Sequence, residues 1–468
     1  MNGLVIGLGK VDVTPPLDIP YLSYYPRQTP FEGVHDRLYA RALAAELVGD
    51  DGAARRPAER AAIVAVDSLG FSRTVLGPGR DFIAEVRARI AQRTGIPAAN
   101  VLIAATHAHS TPQTTDLAPL VEQVPAAAGW LERLIDQLAA AVAVAWTRRA
   151  PAELRGATGL APGIAWCRRI ITRDGRIVRF QHRPADAEAL KEPRDDRVPV
   201  LLVSGPAGRT GATGATWRGA LMGFTCHPTT VQVRPLVSAD YPGVACAIVE
   251  RELEADACLF LQGACGNVGP IRATTDFQDV AVYGRSLAGE ALRALSLLEA
   301  RDAPPMRPAL AIGSEMVEVE RRPLPHRATL ERKAAGLAGR IAQATTDEAR
   351  REAIAAYRRV AEPLRLTQLG EAPVRIEVQA LRLGEALIIA CEGELFVEFG
   401  NRIKDASPAR ITFVAAYSNG YEGYLPTPET FDEGGYEASV GPWTRVWRAG
   451  GERVTERAIA LAHRVWET

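Results

Sequence analysis

At 468 residues and 47% hydrophobic content, the chain holds enough apolar material for one large or two ordinary folded domains. Its 55 basic and 55 acidic side chains cancel, which argues against a nucleic-acid or anionic-membrane surface chosen by bulk charge. No run of about 18 apolar residues offers a transmembrane segment, and the N-terminus lacks the basic and apolar regions of a secretory signal. The six cysteines, Cys167, Cys226, Cys246, Cys258, Cys265 and Cys391, are dispersed without a Cys-x-x-Cys pair, as expected of reduced thiols in a cytoplasmic protein. Lysine occurs only at Lys10, Lys191, Lys333 and Lys404, a bias of GC-rich, bacterial-type coding that says little about chemistry.

Taken in order, Gly7-Leu8-Gly9 lacks the third glycine of a dinucleotide loop and runs into Pro15-Pro16, which rules that loop out. Ile19 to Phe31, rich in Tyr and Pro, reads equally as a pocket lining or a surface loop. Gly33-Val34-His35 leads into a strand, and Ala61 to Asp67 forms another. Phe82 to Arg93 has helical spacing and is stopped by Gly95-Ile96-Pro97. Val101 to Ala105 then completes a β-α-β unit whose tip carries Thr106-His107-Ala108-His109-Ser110-Thr111-Pro112. Strand tips deliver side chains to the edge where open α/β sheets bind ligands. If the strand continues, His107 and His109 address one centre, or one binds a metal while the other moves protons. Taken alone, the pair reads better as hydrogen-bonded loop histidines. Trp130 to Trp146 is a second amphipathic helix.

Beyond Pro151 the strands shorten. Ile164 to Ile171 is one, and Thr172-Arg173-Asp174-Gly175-Arg176 is a hairpin turn. Val198 to Ser204 and Gly219 to Thr225 are core strands, the latter running into Cys226-His227-Pro228. Three of only seven histidines thus end two strand-like runs, an economical use of them for a metal site. A helix starts at Asp240 and reaches Leu253, and Cys258 to Leu261 feeds the glycine-rich Gly263 to Pro270. Arg327 to Leu364 is charged and alanine-rich and reads as a solvated helical hairpin. Leu387 to Cys391 ends at Glu392-Gly393-Glu394, and Ile411 to Ala416 at Tyr417-Ser418-Asn419-Gly420-Tyr421-Glu422-Gly423-Tyr424. The expected fold is α/β: a single large domain over 1–468 with mixed β-sheets flanked by helices, the active site at the strand ends and 327–364 a peripheral insertion.

These motifs together resemble the catalytic domain of the neutral (non-lysosomal) ceramidases, in collinear order over nearly the whole chain. They run from Val11-Asp12-Val13-Thr14-Pro15 and Gly33-Val34-His35 through the two histidine motifs, Cys167-Arg168-Arg169, Ser238-Ala239-Asp240 and Gly263 to Pro270. Gly393-Glu394, Asn419 to Tyr424 and Tyr436-Glu437-Ala438-Ser439 complete the series. The resemblance implies a zinc ion held by His107, His227, Glu394 and Tyr424, with Glu392 a rival to Glu394 and Tyr421 a rival to Tyr424. It places His109 and Arg168 near the attacking water and the substrate, and Tyr436 as a donor to the developing oxyanion. Two departures stand out. The C-terminal immunoglobulin-like domain of ceramidases has no counterpart, and Gly269 stands where the family carries the serine of Gly-Asp-Val-Ser-Pro, which puts ceramide itself in doubt. Cys265 lies nearby but out of register with that serine.

Two functions follow as expectations. One is a zinc hydrolase that cleaves a small-molecule acyl amide or ester by metal-activated water. The other is a degenerate relative that binds acyl or amino compounds without turning them over. All four ligand positions and His109 are present, which favours the enzyme. Nothing in the sequence sets the oligomeric state.

Overall fold

The computed structural model describes residues 3–21, 29–49, 59–117, 124–171, 177–179, 193–205, 217–272, 276–367, 370 and 372–468. Sixteen of the strands and eight of the helices position the site. The strands are β1 (Gly3–Asp12), β2 (Tyr39–Val48), β3 (Arg60–Val66), β4 (Val101–Ala105), β5 (Ala150–Leu160), β6 (Ala165–Cys167), β7 (Arg197–Ser204), β8 (Trp217–Phe224), β9 (Ala257–Gln262) and β10 (Val268–Pro270). The C-terminal part adds β11 (Leu310–Val319), β12 (Val374–Leu383), β13 (Ala386–Cys391), β14 (Glu394–Leu395), β15 (Ile411–Ala415) and β16 (Tyr424–Leu425). The helices are α1 (Phe82–Thr94), α2 (Ala126–Thr147), α3 (Asp240–Glu252), α4 (Phe277–Ala300), α5 (Arg327–Gln343), α6 (Asp347–Leu366), α7 (Val397–Asp405) and α8 (Gly450–Glu467). No described helix is long and apolar enough to cross a membrane.

Eight strands form one sheet in the order β9-β8-β7-β5-β1-β2-β3-β4, and β11-β12-β13-β15 form a second. Both are mixed: β3–β4, β8–β9 and β13–β15 run parallel, the other neighbours antiparallel. The sheets face each other through an apolar layer, with Leu4, Ile6, Leu8, Ile63, Leu102 and Leu259 on one side and Leu381, Ile388 and Phe413 on the other. Helices cover the outer faces: α2 lies on β1 and β2, α3 on β8 and β9, α4 on β5 and β7, and α8 on β11 to β13. The result is the expected α/β domain, with helices outside two mixed sheets.

Alternation along β1 explains the Gly7-x-Gly9 pattern. Leu4, Ile6 and Leu8 point into the layer between the sheets, and the glycines face α2. A Cβ on Gly7 would lie 2.0 Å from the carbonyl oxygen of Ala145, and one on Gly9 2.3 Å from that of Ala141. These glycines admit a helix, not a phosphate. The β-α-β unit forms as expected: Asp81 caps α1 by accepting from the Ala84 N–H, and Gly95 ends it at φ 71°.

In the large sheet β9 and β4 are opposite edges, yet the sheet coils until these strands approach each other. Residues 416–419 join them. The Ala416 N–H donates to Gln262 O (2.9 Å), Ala105 N–H to Tyr417 O (3.1 Å), and Asn419 N–H to Ile103 O (2.8 Å). The Asn419 side-chain oxygen accepts from Ile103 N–H at 2.9 Å.

Two expectations are refined. Ile164 to Ile171 is two strands rather than one, β6 and a short strand Arg169–Ile171, interrupted where Arg168 turns its side chain inward. Arg169–Ile171 pairs antiparallel with Ile177–Arg179; the turn proposed at Thr172 to Arg176 lies outside the described residues, as do 22–28 of the Tyr-rich segment. The helical hairpin is present as α5 and α6, which pack on each other between Val319 and Val374, themselves directly paired across β11 and β12. Few of its side chains are buried, among them Leu330, Ala334 and Ala353. We propose that the hairpin is a dispensable insertion. Excision of 327–364 with a short bridge should leave a cooperative thermal transition by circular dichroism, and its disappearance would show the helices to be part of the core.

Candidate metal centre

Strand ends from both sheets open on one spot. His107 follows β4, His227 follows β8, the Cys265 loop follows β9, Glu394 follows β13 and Tyr417 follows β15. His107 Nδ1 lies 2.6 Å from Leu69 O, and His227 Nδ1 lies 2.6 Å from Cys265 O and 3.1 Å from Val268 O. A carbonyl only accepts, so each Nδ1 holds its proton, and in the neutral ring each Nε2 offers a lone pair to the centre. Burial pushes His107 down to about 3, against the pull of Glu394 and with the help of His227. Its ring is therefore neutral at physiological pH.

Glu394 Oε2 stands 3.1 Å from His227 Nε2 and 3.7 Å from His107 Nε2. His109 Nε2 stands 3.2 Å from His107 Nε2. Ligands at about 2.0–2.1 Å from a tetrahedral zinc are separated by roughly 3.3 Å, so these spacings suit its edges. Buried lone pairs and a carboxylate aimed at one point repel unless a cation lies between them, and nitrogen with oxygen donors is a set zinc accepts. The donor set fits the ion. Among the described residues, His107, His109 and His227 form the one grouping of three or more such side chains, their nitrogens within 4.8 Å of one another.

The two rival carboxylates separate cleanly in space. Glu392 is fully buried away from the histidines, paired with Arg73 at 2.7 Å, and burial pushes its carboxyl up to about 8 with Arg73 opposing. Glu394 faces the imidazoles. Both tyrosines reach the site: Tyr421 donates to Glu394 Oε1 (2.5 Å), and the Tyr424 hydroxyl accepts from Arg168 Nη2 (2.8 Å). Arg168 also donates to Gly266 O (2.7 Å) and Glu437 Oε1 (3.1 Å). Burial works against its charge, but Tyr424, Glu437 and Glu394 outweigh it and hold the guanidinium well above its ordinary range. Tyr436 is 37% exposed. Its ring meets Tyr424 edge-on at 5.8 Å and stacks on Trp443 at 5.1 Å.

Sequence reasoning missed three parts of this arrangement: the carbonyls that orient the histidines, Glu437 and Tyr417. Of these only Glu437 had a signal, the Arg168-Arg169 doublet, whose buried charges need a carboxylate; Arg169 Nη1 donates to its other oxygen at 2.9 Å. Burial pushes the Cys265 thiol up to about 12, so it stays protonated and is a poor nucleophile. Gly269 lies in β10 opposite Trp166.

Residues 4–290 match the family described as neutral/alkaline non-lysosomal ceramidase, N-terminal. Among solved structures, the chain is similar to a ceramidase complexed with C2 (TM-score 0.69, 18% identity, covering 100% of this chain and 76% of that one). It is also similar to a neutral ceramidase from Pseudomonas aeruginosa (TM-score 0.67, 19% identity, 99% and 75%). At these identities the likeness is one of fold. No curated protein matches the sequence. Family and histidine cluster together make this a metal-binding, hydrolase-type fold.

Proposed function

Because the chain belongs to the neutral/alkaline non-lysosomal ceramidase family, we propose that it is a zinc-dependent hydrolase that cleaves an amide or ester bond in a small acyl substrate. The observation that carries this reading is the convergence of the His107 and His227 Nε2 atoms on the Glu394 carboxylate, each ring anchored through Nδ1 to a carbonyl. The residues to hold the ion are His107, His227 and Glu394, with Tyr424 as the fourth. When bound, zinc supplies a water acidic enough to attack at neutral pH and polarises the carbonyl. His109, only partly buried beside His107, takes the proton of the attacking water and passes it to the leaving group. Arg168, fixed by Tyr424, Gly266 and Glu437, presents a permanent positive charge, and Tyr436, steadied by Trp443, presents a hydroxyl; both stabilise the developing oxyanion. The dispersed cysteines support a cytoplasmic setting, with all six unpaired.

Gly269 makes ceramide an unsuitable substrate in this reading, since the family's serine hydroxyl is missing. The site itself would accept a side chain there: a Cβ on Gly269 would meet only Arg168 Cδ, at an ordinary 3.7 Å. Gly269→Ser should therefore fold with an unchanged melting temperature and keep its turnover on the natural substrate. A large loss of either would show that the glycine is needed for space. The function is tested by metal analysis of the purified protein with a screen of N-acyl amines, N-acyl amino acids and esters. Zinc with turnover supports the hydrolase; zinc with binding but no turnover would establish the degenerate relative.

A further inference from the structure

Tyr417 takes no part in the chemistry above, yet it touches the segments that supply His107, His227 and Glu394. Its ring lies flat against His107, centroids 3.8 Å apart and planes 21° apart, and stands edge-on to His227 at 6.3 Å. Its hydroxyl is 3.1 Å from Cys265 Sγ, and the carbonyl of that same cysteine receives the His227 Nδ1 proton at 2.6 Å. Its backbone N–H donates to Gly393 O (3.2 Å), one residue before Glu394, and its carbonyl accepts from Ala105 N–H (3.1 Å), two residues before His107. The side chain is 1% exposed.

Backbone conformation sharpens the point. Tyr417 sits at φ 58°, in the left-handed region that a bulky residue rarely occupies. Such strain persists only where the surroundings over-determine it, and it clusters at functional sites. Here the surroundings are the coiled sheet's two edges, which this residue helps to join.

We propose that Tyr417 is a positioning residue for the metal centre, its flat ring acting as the floor that fixes the plane of His107 while its main chain ties Glu394 to the histidine strand. The proposal rests on the zinc reading and extends it. Outer-shell groups that orient ligands typically alter metal affinity roughly 10- to 100-fold when removed. The test is the zinc dissociation constant by chelator competition, with thermal melts of the metal-free proteins alongside. Tyr417→Met, which fills the space without a flat ring, should weaken zinc roughly 10- to 100-fold. Tyr417→Phe should stay near wild type, and so should Tyr417→His, which restores a planar ring if the methionine variant melts early. Wild-type affinity in Tyr417→Met would overturn the proposal, as would equal weakness in all three variants. A wild-type protein that binds no zinc would instead sink the metal reading, and this inference with it.

Discussion

Purified His227→Ala protein should contain almost no zinc, where wild type should carry one ion per chain. The side chain is buried between the carbonyls of Cys265 and Val268 and the carboxylate of Glu394, so the substitution removes a fixed Nε2 from the donor set. Losing an outer-shell group alone costs roughly 10- to 100-fold in affinity; losing a direct ligand should exceed about 100-fold. Glu392→Gln is the matched control and should keep its zinc, because Glu392 faces Arg73. Tyr424→Phe reports on the fourth position. Full zinc occupancy in His227→Ala would remove the basis of the assignment.

Turnover should fall steeply in His109→Ala and Tyr436→Phe while zinc content holds. General acid–base help is worth roughly 10²–10⁴-fold, and an oxyanion donor roughly 10²–10³-fold in kcat. These ranges set the expected losses for the two variants in that order. The reading is direct attack by water without an acyl-enzyme, so Cys265→Ala should keep full activity, in line with a thiol held protonated by burial. A trapped acyl group on Cys265 would overturn the water route. Zinc loss in His109→Ala would reassign His109 as a ligand, a place its 3.2 Å distance from His107 Nε2 would suit.

Much of the site was legible because its carriers are abrupt: apolar runs that stop at His107, His227 and Glu394 mark strand tips in any α/β sheet. What alternation could not decide was which carboxylate faces the histidines. In a regular strand Glu392 and Glu394 would point the same way, but Gly393 at φ 88° turns the chain between them and sends one to Arg73 and the other to the histidines. His107 and His109 converge for a related reason. β4 ends at Ala105, and His107 itself is left-handed at φ 63°, so it is the loop, not the pleat, that brings the rings together. The coiling of the large sheet was invisible because its closure depends on contacts such as Ile103 with Asn419, 316 residues apart.

That closure bears on how the protein is made. Residues 416–419 supply hydrogen bonds to both edges of the eight-stranded sheet, and they leave the ribosome long after the last of its strands, which ends at Gln262. At about 5–20 residues per second, the wait is roughly 8–30 s. Through that interval a nascent chain can pair all eight strands and still expose two bare edges, the template on which neighbouring chains add strands. The segment that joins the two edges is thus also the one that covers them, so the sheet closes only once translation has passed residue 419.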